Sequence, residues 1–264
     1  TAKLSNGILA PSLTMTSALL PDANDAFTVG GWVKNNPLYS TDFSTNTGWT
    51  PVGSTISITS GVAQATSTTG ATGDRIHYNL GSSLSDTNWV ATFDLYITSM
   101  NGDSEISPLV MQSDSSEISG STHDVLGFDV YYQASAPNYN FRPFARDGTS
   151  NTYGTAITIA SGTQYYVKIV RDSTTSFSTY VYTDSAMTTQ VTGSPKTTTI
   201  PSTIQSLSYV VDGAWNTGRS GDLSTWKIDN LKIYDGITTP SSTTNILKFT
   251  NTTPEDVVWE VGTT

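Results

Sequence analysis

The chain has no cysteine in its 264 residues. A disulfide framework and a thiolate metal site are both excluded. Charged residues are scarce, at 13%, and the Glu/Lys/Leu-rich stretches from which helices are built are missing. No run approaches the ~20 apolar residues of a membrane span, so no membrane insertion is expected. Cations are outnumbered, 12 Lys and Arg against 22 Asp and Glu, for a net charge of −10. That balance excludes the basic footprint of a nucleic-acid binder and disfavours an anionic membrane surface. Histidine is limited to His77 and His123, and glutamate to Glu105, Glu117, Glu255 and Glu260.

What is present is strand-forming. Aromatic residues make up 10%, with 13 Tyr and 6 Trp, and Thr, Tyr and Trp suit a pleated, half-buried surface. The length fits one principal sandwich with extensions. A chain of this size buries roughly three quarters of its unfolded surface. Acidic and Ser/Thr-rich, the protein is expected outside cells, at a cell surface or on a virion. A chain that starts at Thr1 without Met is expected to be a processed or trimmed product.

Alternation with period two runs along most of the sequence. From Trp89 to Ile97, residues Trp89, Ala91, Phe93, Leu95 and Ile97 share one face. Leu126, Phe128, Val130 and Tyr132 repeat the pattern, as do Val167 with Ile169, Phe177 with Thr179 and Val181, and Leu207 with Tyr209 and Val211. Gly, Asn, Asp, Ser and Pro clusters separate the runs. Many short strands punctuated in this way predict an all-β, antiparallel two-sheet β-sandwich with one face of each sheet solvated. The predicted core residues are Trp89, Phe93, Leu95, Phe128, Val130, Val167, Ile169 and Val181. Three segments are expected: an N-terminal strand extension over 1–37, the sandwich over 38–237, and a linker with a C-terminal strand extension over 238–264.

The stretch DFSTNTGW from Asp42, the run at Gly61, Val62 and Ala63, and the closing WKIDNLKIYDG from Trp226 resemble the concanavalin A-like, laminin-G-like jelly roll and the carbohydrate-binding modules built on it. FTVGGWVK from Phe27 separately resembles a strand of laminin-G-type domains. The resemblance covers roughly 38–237. It implies a lectin-like jelly roll. It also implies a structural calcium bridging the opening and closing strands, and Asp42 and Asp229 are the positions that match.

Catalytic patterns are missing. No carboxylates alternate along a strand as in the retaining glycosidases of this fold, and no nucleophile-elbow motif is present. The chain is therefore expected not to be an enzyme. Glycan binding needs aromatic platforms with a few planar polar groups. Tyr131, Tyr132, Tyr139, Phe141, Arg142 and Arg146 cluster about one hairpin, and Trp215 lies in a Gly/Asn loop. From these, Tyr132, Tyr139, Arg146 and Trp215 are the expected ligand-binding residues. Asn251, Thr252 and Thr253 form a glycosylation sequon.

Two functions fit. One is a non-catalytic lectin-like module that recognises a glycan or host-surface receptor. The other is a structural subunit of a filament or virion that self-assembles with identical subunits by strand addition. The second reading points to Phe27, Val29 and Val33 at one end and to Val257, Trp259 and Val261 at the other. At least one of these extensions is expected to add to a sheet edge, since an isolated hairpin is marginal in water.

Overall fold

The computed structural model describes residues 28–33, 36–69, 73–118, 123–213, 223–238, 245–253 and 256–262. These form nineteen strands and, among the described residues, no helix. In chain order the strands are β1 (Thr28–Val33), β2 (Tyr39–Thr41), β3 (Trp49–Val52), β4 (Ile56–Thr59), β5 (Val62–Thr69), β6 (Arg75–Asn79), β7 (Trp89–Met100), β8 (Glu105–Gln112), β9 (Val125–Gln133), β10 (Ala136–Asp147), β11 (Ser150–Tyr153), β12 (Ile157–Ile159), β13 (Gln164–Arg171), β14 (Ser176–Tyr182), β15 (Lys196–Thr199), β16 (Tyr209–Gly213), β17 (Leu223–Asp235), β18 (Asn245–Thr253) and β19 (Asp256–Gly262). The chain divides into two compact units, residues 37–238 and residues 1–36 with 239–264.

The larger unit is an antiparallel sandwich of two eight-stranded sheets. The front sheet runs β11-β10-β9-β8-β16-β6-β3, with β12 added to β10, and the back sheet runs β15-β14-β13-β7-β17-β5-β4, with β2 added to β17. All eight predicted core residues lie in one buried cluster between the sheets. Phe128 of β9 stacks on Phe93 of β7 at 5.4 Å and on Phe141 of β10 at 4.5 Å, which ties the front sheet to the back one. Each such ring is worth about 3–5 kcal/mol against truncation to Ala.

Two departures from simple alternation matter. In β17 the buried set is Trp226, Ile228, Leu231 and Ile233, so the period breaks between Ile228 and Leu231. A bulge between Asp229 and Lys232 supplies the extra residue, with Asn230 at φ 50°. Asn tolerates that left-handed conformation better than most residues. In β16 it is Val210 that faces the main core, while Val211 and Tyr209 lie in a second cluster with Val110, Ile118, Val125 and Phe144. The expectation that Leu207, Tyr209 and Val211 share the core face is thus corrected. The front sheet is apolar on both faces here, and alternation carries no signal where both faces are covered.

The smaller unit is a three-stranded antiparallel sheet in the order β1-β18-β19. Val29, Phe249 and Trp259 are in register across it, as are Gly31, Leu247 and Val261. The two ends of the chain therefore pair with each other in a sheet of their own. Val33 and Val257 also lie in these strands, whereas Phe27 is outside the described residues.

Candidate functional site

The outer face of the front sheet carries an unusual set of polar residues. Inward positions on β9 and β10 are Leu126, Phe128, Val130, Phe141 and Ala145. Strand alternation then turns Asp129, Tyr131 and Arg142 outward. Register places Arg142 directly opposite Asp129, and Glu105 of β8 opposite Tyr131.

These residues form one interlocked group. Arg142 Nε donates to Asp129 Oδ1 at 2.8 Å, and its Nη2 donates to Asp129 Oδ2 at 2.7 Å and to Glu105 Oε1 at 2.9 Å. Such a forked, charge-assisted pairing is among the stronger polar contacts. The guanidinium lies between two rings, 4.4 Å from the centroid of Tyr131 and 3.8 Å from that of Tyr153 on β11. Tyr153 is one of the few large apolar side chains left exposed among the described residues. Beside the group opens a recess of ≈ 320 Å³ lined by Asp103, Ser104, Glu105, Tyr131, Tyr132, Gln133 and Arg142.

Burial sets the electrostatics. The Asp129 side chain is 1% exposed. Its burial, followed by hydrogen-bond contact with Glu105, pushes its carboxyl well above the usual range despite Arg142. Burial and the charges of Glu105 and Asp129 push the Tyr153 hydroxyl up to about 12. Arg142 is held above its ordinary value, because Asp129 and Glu105 outweigh the burial that opposes its charge. It stays a cation.

The sequence-expected ligand residues fall in different places. Tyr132 reaches the recess, and its ring packs 5.0 Å from that of Tyr139. Both also pack against the main core, and Tyr139 Oη accepts from the Met100 N–H at 3.4 Å. The pair closes one end of the sandwich. Arg146 is buried away from the recess lining; its Nε donates to the Gly148 carbonyl at 2.7 Å and its Nη1 to the Ile118 carbonyl at 2.8 Å. It shares the outward parity of Arg142 but lies four residues further along β10, where the second apolar cluster covers the sheet. There it fastens the Ile118 segment and does not line this recess. Trp215 is outside the described residues. Sequence reading passed over Glu105, Asp129 and Tyr153. The one available signal was a charge at Asp129 in a strand otherwise reading as core.

For the expected calcium, Asp42 and Asp229 are near enough that the Asp42 charge helps raise the Asp229 carboxyl, after burial and Asp94. Asp42 Oδ1 also accepts the Ser44 N–H at 3.0 Å, the hydrogen bond of a turn cap. Among the described residues no three His, Asp or Glu side chains converge on a metal site. Asp229 and Asp94 line a second recess on the outer face of the back sheet, with Tyr96, Gln164 and Lys227. His123 is buried, with Nδ1 3.8 Å from Asp114 Oδ1, and burial holds its pKa below the usual value.

No family model matches the chain, and no curated protein matches its sequence. Solved structures do. The CBM2 module of the evolved Dit of Lactobacillus casei BL23 phage J-1 superposes with a TM-score of 0.52 at 11% identity, over 78% of this chain and 98% of that one. The body has the concanavalin A-like jelly-roll fold. The jelly roll also superposes on the Crh5 transglycosylase with a TM-score of 0.51 at 14% identity, over 85% of this chain and all of that one. A legume lectin-like domain from Entamoeba histolytica gives 0.49 at 11% identity, over 75% and 97%. At these identities the likeness is one of fold, and the fold hosts both binding and catalysis.

Proposed function

We propose that this chain is a carbohydrate-recognition module, extracellular or virion-borne, that seats its ligand in the recess beside Arg142 without cleaving it. The observation that carries this reading is the Arg142 guanidinium, held over the rings of Tyr131 and Tyr153 and bonded to Glu105 at the wall of the recess. An apolar ring face beside planar polar groups is what a sugar's C–H face and hydroxyls require. The likeness to a phage CBM2 module supports the same reading. The carboxyls favour binding over hydrolysis. Glycosidases hold their two carboxyl groups about 5–9.5 Å apart around the scissile bond. Asp129 and Glu105 instead touch each other and share one arginine.

A glycan array followed by calorimetric titration tests the proposal. Tyr131→Ala and Glu105→Ala should each weaken binding at least about tenfold, the scale of a lost charged or aromatic contact, while the circular dichroism of the sandwich is kept. Binding to no glycan, or binding indifferent to both changes, would overturn it.

A second reading, self-assembly, is favoured by the terminal sheet. Its edge strands β1 and β19 each have one partner among the described strands. An open strand edge is a template for a further chain.

A further inference from the structure

We infer that the outer face of the back sheet carries a second carbohydrate-binding site, centred on Tyr96, that takes an internal stretch of a neutral, extended glycan chain. Core positions on three neighbouring strands fix which side chains face out. Leu95 and Ile97 of β7, Tyr165 and Val167 of β13, and Trp226 and Ile228 of β17 are buried between the sheets. Alternation then turns Asp94 and Tyr96, Gln164 and Tyr166, and Lys227 and Asp229 to the opposite side. Register sets these residues in two lateral rows. Tyr96 lies between Gln164 and Lys227, and Asp94 lies between Tyr166 and Asp229. All but Tyr166 line a recess of ≈ 260 Å³.

The groups on this face are uncommitted. Among the described residues, neither Tyr96 nor Tyr166 makes a side-chain hydrogen bond or packs on another ring, and Lys227 makes no ion pair. Gln164 Nε2 donates to the Leu95 carbonyl at 3.2 Å and to the Tyr165 carbonyl at 3.0 Å, which fixes the amide and leaves Oε1 to accept. Asp94 Oδ2 accepts from Asn230 Nδ2 at 2.8 Å, which holds the carboxylate in place with lone pairs to spare. An open tyrosine ring with an amide acceptor on one side and an ammonium donor on the other meets both demands of a pyranose. It gives a surface for the C–H face and partners for the hydroxyls. Gln164 and Lys227 stand two strand spacings apart, about 10 Å, so the row is wider than one sugar ring. A protein partner fits less well, because interface cores are depleted of charge and Asp94, Asp229 and Lys227 stand beside the rings. The site lies on a different sheet from the recess beside Arg142 and does not depend on it. Only the consequence that one chain can bridge two glycan strands rests on both.

Calorimetric titration of the full chain with cellohexaose, xylohexaose and laminarihexaose tests this, repeated in a Tyr131→Ala chain whose front recess is disabled. At least one hexasaccharide should still bind the Tyr131→Ala chain. Adding Tyr96→Ala should weaken that binding at least about tenfold, the scale of a lost aromatic contact. Adding Lys227→Ala instead, at an exposed position outside the core, should weaken it at least about threefold, the scale of a lost hydrogen bond. This second variant decides the matter if the tyrosine change disturbs the sheet. Complete loss of binding in the Tyr131→Ala chain overturns the second site and leaves the first standing. Binding in that chain which neither added change alters overturns it as well. Binding that Tyr96→Ala removes and Tyr131→Ala leaves whole supports the back-sheet site and overturns the front one. Binding of none of the three by the unaltered chain overturns both.

Discussion

Trp226 Nε1 donates to Asp212 Oδ1 at 2.9 Å, joining the back sheet to the front sheet through the middle of the core. Asp212 is 1% exposed, and its second oxygen has no protein partner. A lone carboxyl in such a place is stable only when neutral.

Burial accordingly pushes the Asp212 carboxyl up to about 8, with the Trp226 bond pulling weakly the other way. The folded chain keeps a proton that the unfolded chain has released, over the interval from an unfolded value near 4 to about 8. The stability contributed by the neutral form is therefore full below the unfolded value and is lost as pH rises through about 8. Asp129, also raised, adds to the same slope. Urea denaturation from pH 5 to pH 8 should show stability falling by a few kcal/mol, and Asp212→Asn should remove most of that fall. A variant whose stability declines as steeply as the parent would place the proton elsewhere.

Gly127 lies where the front-sheet backbone has no room for a side chain. A Cβ there would sit 2.8 Å from Val110 Cγ1 and 2.9 Å from the Leu109 carbonyl oxygen. Backbone oxygen cannot swing aside as a flexible side chain can. Gly127→Ala is expected to cost about 1–3 kcal/mol, the range for overpacking, read as a lower urea midpoint with an unchanged slope.

Arg142→Ala removes the cation paired with Asp129 and Glu105 and its contacts with the Tyr131 and Tyr153 rings. Breaking a buried pair costs about 3–5 kcal/mol. Asp129→Asn, which keeps an acceptor for Arg142, should cost less than Arg142→Ala in the same denaturation experiment.

A calcium ion bridging Asp42 and Asp229 is a proposal that rests on the match of these positions to the opening and closing strands of the jelly roll. Bound only by the folded chain, it would raise stability by about 2.7 kcal/mol at a hundredfold excess over Kd. Adding calcium to EDTA-treated protein should then raise Tm, and Asp229→Asn should abolish the rise. A Tm indifferent to calcium leaves Asp42 as a turn cap and Asp229 as a carboxyl repelled by Asp94.

Removing residues 239–264 takes away β18 and β19 and leaves β1 without its partner. The sandwich has its own core, so the shortened chain should still unfold cooperatively and still bind glycan. Light scattering of both forms tests assembly through the terminal sheet. Higher-order species in the full chain alone would support it, and identical monodisperse profiles would discard it.

Sequence by itself determined the class of this protein and most of its core. Trp89 through Ile97 could be assigned to one face because a strand alternates with period two, and a sheet with one wet face writes that period into the residues. The same rule failed at Leu207, Tyr209 and Val211, where Ile118 and Phe144 cover the outer face and apolar residues stand on both sides. It also failed across Asp229, where a bulge resets the parity. The site was less legible. Arg142 and Tyr131 stood out as part of an aromatic hairpin, but Glu105 is 37 residues from Arg142 in the chain, and no local pattern connects them. Only strand register decided that Asp129 faces Arg142 while Arg146, with the same parity, is spent on holding down Ile118. Which cation meets which carboxylate depends on the lateral alignment of strands, and that is fixed by packing of the whole core rather than by the residues nearby.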